Sequence, residues 1–162
     1  MIQRIQTVYL ALVLILSILL LSGISVGHIR TESQGRTESY VYKAGTVQKE
    51  STGERVPLNA NTFLIVELAV VIVTAGISIF VYRNRLLQIK LGKFNLFVNF
   101  ILIAILFFYT ESELKNVLPG QTPVISYSFG AYIPLLNVIL LVLANRSIKK
   151  DEALVRSADR LR

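Results

Sequence analysis

Glu67 has the most to explain: it is a carboxylate inside an apolar run from Phe63 to Tyr82. An ionisable group in a membrane span is costly unless it is interfacial, neutralised or paired, so it marks a candidate ion or partner site. It lies about one turn inside the run, where water and headgroups reach, and this favours an interfacial or structurally hydrogen-bonded role. Glu111 and Glu113 form a second acidic pair. Two carboxylates without further oxygen ligands suit a divalent cation poorly, and a solvated turn is the simpler expectation. There is one histidine, His28, and no cysteine. That removes multi-histidine metal sites, disulfides, thiolate nucleophiles and cysteine-ligated zinc or iron. No acid, base and nucleophile gather at one place, so no enzyme, cofactor or metal is expected.

The other polar residues with something to do lie within apolar runs. Sorted by depth, Glu67 and Asn137 fall toward one boundary, and Asn99 with Ser78 or Thr74 toward the other. Two hydrogen-bonded layers, Glu67 with Asn137 and Asn99 with Ser78, would satisfy these groups and specify helix packing. They do not form the continuous polar line that a conduction path needs.

The elements that carry these residues follow from hydropathy. The chain has 162 residues, 53% of them hydrophobic, with a mean hydropathy of +0.59. Its apolar runs approach the ~20 residues that cross a bilayer. They predict an all-α integral membrane protein with four spans, at about 7–26, 63–82, 94–109 and 127–144. Outer loops then cover 28–60 and 110–126, and an inner loop covers 83–93. Gly23 and Gly27 have the GxxxG spacing of close helix pairs, but at a run's end glycine more simply stops the helix. Within 28–60, Tyr40-Val41-Tyr42 and Thr46-Val47-Gln48 flank Ala44-Gly45, and Ser51-Thr52-Gly53 precedes Glu54 to Leu58. This pattern fits a small β meander that must lean on helix ends or a partner. Asn84 and Gly92 offer turns, and Pro134 is expected to kink the fourth span.

Charge sets the expected orientation. The net charge is +7; with no nucleic-acid-binding motif, it is read as the basic excess of cytoplasmic segments, not as a nucleic-acid footprint. Arg83, Arg85, Lys90 and Lys93 place the inner loop inside, and both termini with it. Residues 148–162 form a charged tail expected to be helical. Glu152 and Arg156 pair at i,i+4, and Asp159 can meet Arg156 or Arg162. Leu154, Ala158 and Leu161 line one side. Lys149 and Lys150 anchor the fourth span at the surface, while Asp151, Glu152 and Asp159 offset Arg156, Arg160 and Arg162. A mixed-charge helix of this kind favours docking on protein over binding anionic lipid.

MIQRIQTVYL, LLQIKLGKFNL, GAYIPLLNVIL and the ending IKKDEALVRSADRLR together resemble the family catalogued as domain of unknown function 4293. These are small four-helix inner-membrane proteins of Bacteroidota. The resemblance implies a multi-pass inner-membrane location and no activity. The expected function is a non-catalytic accessory or assembly subunit of an inner-membrane complex. It would sit in the bilayer and dock on a membrane-protein partner through its cytoplasmic tail. The alternative is a small-molecule or ion-handling protein, an oligomeric channel- or transporter-like assembly, using Glu67.

Overall fold

The computed structural model describes residues 5–33, 36–56, 58–82, 84–117 and 123–160. The first apolar run forms helix α1, Ile5–Leu21. Gly23, at φ 103°, then ends it in a left-handed conformation that an L side chain resists. The helix therefore stops short of residue 26. Ser25 and Val26 open a strand, β1 (Ser25–Ser33), which pairs with β2 (Arg36–Lys43). Strands β3 (Thr46–Lys49) and β4 (Arg55–Val56) continue the meander, with Ala44 and Gly45 at the β2–β3 turn.

Helix α2 is Asn59–Phe80. The basic segment that follows is not a loop. The Asn84 side chain accepts a hydrogen bond from Leu87 N–H at 3.1 Å and caps helix α3, Arg85–Ala104. Gly92 lies inside that helix, not at a turn. The helical path continues through a π-helical segment, Ile105–Tyr109, into α4, Thr110–Val117. The expected outer loop 110–126 is thus helical at its start and extended at its end. Strand β5, Val124–Tyr127, follows, and α5 then runs from Phe129 to Arg160 through Pro134.

Helix α1 packs on α2 and α5, and α3 packs on the same two, so the helices form a square with α1 and α3 on one diagonal. One end carries the antiparallel sheet, in the order β4-β3-β2-β1-β5. The sheet is too small to bury a core by itself. Val26, Ile29, Tyr40, Tyr42 and Val47 share one apolar cluster with Leu20, Leu64, Leu102, Leu106 and Ile133 from the helices. A second cluster, including Leu10, Val13, Val71, Val98 and Leu141, fills the bundle away from the sheet. Three helical stretches are long and apolar enough to cross a membrane: Asn59–Phe80, Arg85–Val117 and Phe129–Leu154. Helix α1 is apolar but shorter, with 17 residues. Outward-facing Phe94, Phe97 and Phe100 are exposed along α3, as a hydrocarbon solvent permits.

Glu113 joins two of these elements. Leu58, at the N-cap of α2, provides no side-chain acceptor. The carboxylate of Glu113, reaching across from α4, accepts from Asn59 N–H at 2.7 Å and Ala60 N–H at 2.8 Å. Two orphan donors at a positive helix end are satisfied by one anion. Glu111 pairs instead with Lys115, at i,i+4. The acidic pair is therefore neither a solvated turn nor a joint site. Glu113→Ala is expected to cost about 1–2 kcal/mol, the loss of a good helix cap. Thermal unfolding in one detergent, compared with Glu111→Ala, checks this: the Glu111 variant should move by far less.

Candidate functional site

Tyr42 is fully buried and ties the sheet to the bundle. Thr110 donates its hydroxyl to the Ile105 carbonyl at 3.0 Å, so the Tyr42 hydroxyl, 3.0 Å from Thr110 Oγ1, is the donor of that pair. The Thr110 N–H bonds the same carbonyl, five residues back, which is the π-helical pattern. Tyr127, on β5, donates to the Phe107 carbonyl within the same segment at 3.5 Å. Burial raises the Tyr127 phenol above its ordinary value, with the Glu111 carboxylate adding to the effect. On the sheet, hydrogen bonds from Lys49 and then Tyr40 hold the Glu38 carboxyl below its ordinary value. His28 is exposed on β1. Gly27 lies beside it in that strand, not on a helix face, and Gly23 is the helix stop.

The two expected polar layers do not form. Asn137 donates to Ser17 on α1 at 3.0 Å, not to Glu67. Asn99 donates to the carbonyl and side-chain oxygen of Asn95, one turn back on α3, at 3.0 and 3.2 Å. Ser78 returns its hydroxyl to the Thr74 carbonyl at 2.8 Å, while its own carbonyl accepts from Gln88 Nε2 at 2.9 Å. Glu67 is half-buried on α2 and belongs to neither arrangement. Short hydroxyl and amide side chains find their own backbone or the next turn more readily than a carboxylate on another helix.

What the bundle holds instead is a set of buried amides. Gln88, Gly92, Asn95 and Asn99 follow one another at spacings of 4, 3 and 4 on the buried face of α3. Asn95 donates to the Val71 carbonyl at 3.4 Å. Asn145 on α5 lies flat on Gly92, where an added Cβ would come 2.2 Å from its Oδ1. Gln6, on α1, is also buried. Sequence reading named Asn99, Asn137 and Ser78 but missed Gln6, Gln88, Asn95 and Asn145. The glycine-containing stripe on α3 was the signal. Gln88 and Asn95 each donate to an α2 carbonyl, which ties α3 to α2. Among the described residues, no three His, Asp or Glu side chains gather as a metal site requires.

At the end opposite the sheet, Arg85 donates to the Asp151 carbonyl at 2.8 Å, fastening the root of the tail to the first turn of α3. Lys149 and Lys150 are exposed, Ile148 is buried, and Leu154 is 60% exposed. Lys90 and Lys93 are exposed on α3 itself. Arg83, Leu161 and Arg162 lie outside the described residues, as do the side chains of Arg156, Ala158, Asp159 and Arg160.

A family model described as domain of unknown function (DUF4293) matches residues 2–161. The chain belongs to the DUF4293 family. The match covers nearly its whole length, so sheet, bundle and tail are all parts of one DUF4293 unit. Comparison with curated proteins found no match to this DUF4293 chain.

Proposed function

We propose that this DUF4293 chain is a non-catalytic subunit or assembly factor of a larger membrane complex, engaged through its C-terminal tail. The proposal includes four spans with both termini inside, in the inner membrane of a bacterium of the Bacteroidota. Arg85, Lys90, Lys93, Lys149 and Lys150 at one end of the bundle, with the nearly neutral segment 28–60, five basic and four acidic residues, at the other, support that orientation. The observation that carries the functional reading is the continuity of α5. It leaves the bundle as one helix, held at its root by Arg85, and presents Leu154 uncovered in a mixed-charge setting. A topology signal needs only the lysines. A helix carried past the bundle with an apolar residue on its surface offers a partner a place to pack.

A photo-crosslinking amino acid at position 154, introduced in cells, tests the reading. The expected product is a discrete adduct with one foreign membrane subunit. Leu154→Asp is expected to abolish co-purification of that subunit in mild detergent while leaving insertion and yield unchanged. Adducts with lipid alone, or a complex indifferent to Leu154→Asp, would overturn it.

A further inference from the structure

Two grooves lie end to end along one face of α2. The first, beside the sheet, carries the polar groups Arg55, Thr46, Asn59, Asn61 and Thr62 among apolar Val56 and Leu58. The second is wholly apolar in lining and runs along Ile65, Val66, Ala69, Val70, Val73 and Thr74. Gly45, at the edge of the polar groove, meets Ile65 at the head of the apolar one: a Cβ on Gly45 would lie 3.1 Å from Ile65 Cδ1. Thr74 gives its hydroxyl to the Val70 carbonyl at 2.7 Å, leaving its methyl group for the groove.

From Ile65 to Thr74 the helix rises about 14 Å. Half the hydrocarbon of a bilayer is about 15 Å. The apolar groove is thus one acyl chain deep, and the change to polar lining comes where a headgroup would sit.

The polar end is not generic. Asn61 is 7% exposed and its Oδ1 has no hydrogen-bond partner, so a buried acceptor waits for a donor. Arg55 makes no ion pair among the described residues. The Glu113 carboxylate, 2.7 Å from Asn59 N–H, adds negative charge at the same margin. It also occupies the first N–H groups of α2, so an anion must look to Arg55 and not to the helix terminus. A cation, a buried acceptor and a nearby carboxylate complement a zwitterion carrying both phosphate and a donor-bearing ammonium.

We propose that this face of α2 is a binding site for a phospholipid with a primary-ammonium headgroup, phosphatidylethanolamine in chemistry. The phosphate meets Arg55, the ammonium draws the Asn61 amide to turn toward the groove and donates to its Oδ1, and one acyl chain lies along Ile65 to Thr74. A trimethylammonium headgroup carries the same charges but no N–H donor, and it leaves Asn61 unsatisfied.

The test is native mass spectrometry of the delipidated full-length protein in mild detergent. Phosphatidylethanolamine or phosphatidylcholine of identical acyl chains is added back. Retention of the ethanolamine lipid is expected to exceed that of the choline lipid about tenfold, the worth of one hydrogen bond to a charged group. Asn61→Leu should erase the difference, and Arg55→Ala should lower retention of both lipids. Val66→Trp alters only an exposed position and should block the groove without disturbing the fold. Equal retention of the two lipids in the wild-type protein overturns the proposal, and so does no retention of either. If Val66→Trp instead splits a homodimer and leaves lipid retention unchanged, the groove belongs to a second copy of the chain and the lipid assignment fails.

Discussion

Replacing Tyr42 by alanine is expected to cost about 3–5 kcal/mol, the range for truncating a buried aromatic side chain, and to uncouple the sheet from the bundle. Tyr42 is fully buried in the cluster that joins sheet to helices, and its hydroxyl is the donor that completes Thr110. Tyr42→Phe removes only that bond and should cost about 1–2 kcal/mol. Thermal unfolding in detergent separates the two variants, and proteolysis within 25–56 should accelerate in the alanine variant alone. A similar small loss for both would mean that the ring contributes little. The phenol also predicts a pH dependence. Burial pushes it up to about 12 from an ordinary 10, so the folded chain holds this proton more tightly than the unfolded chain. Its contribution is whole below pH 10 and drains away as pH rises from there through about 12. Tyr40 is raised to about 12 by burial and its bond to Glu38. Tyr42→Phe should therefore flatten only part of the alkaline loss.

Gly130→Val is expected to be the most damaging change at the junction of sheet and helix. A Cβ on Gly130 would lie 2.6 Å from the Ser25 carbonyl oxygen and 3.2 Å from Val26 Cα. One on Gly27 would lie 2.8 Å from the Ser126 carbonyl oxygen. Both obstacles are backbone, so no rotamer change relieves them, and the first turn of α5 must lift off β1. A cost of about 3 kcal/mol follows, the upper part of the usual range for overpacking. Gly76→Val is the control, because a Cβ there meets only a Leu14 methyl at an ordinary 3.6 Å. Comparable melting temperatures for the two variants would show that the junction yields more easily than its geometry indicates.

Residue by residue, it is plain which parts of this arrangement could be read in advance. The helices α2 and α5 were legible because hydrocarbon tolerates little besides long apolar runs. Strands β2 and β3 were legible through Tyr40-Val41-Tyr42, Thr46-Val47-Gln48 and the turn between them. Strand β1 was not, because Ser25 and Val26 extend an apolar run without a break, and only the backbone of Gly23 divides them. Strand β5 hid behind Pro123 in a segment that composition marks as a loop. Basic residues report which side of a membrane a segment occupies, not its conformation, so the charges of Arg85 to Lys93 suggest a loop although Asn84 caps a helix there. The amides were missed for the same reason. Gln88 and Gly92 lay in the supposed loop, which broke the stripe that Asn95 and Asn99 complete.

The position of β5 has a consequence for how the chain is made. β1 pairs β2 on one side and β5 on the other, in a register that sets Gly27 opposite Tyr127 and Arg30 opposite Val124. The meander can close on itself soon after residue 56 is synthesised, but one flank of β1 stays an open edge until the chain has passed through α2, α3 and α4. An unpaired edge invites wrong pairing for as long as it lasts. Completion of the sheet is therefore a late step in folding. It requires that the segments before α2 and before α5 come to the same end of the bundle, and a chain whose later helices pack wrongly would be left with a raw edge on β1.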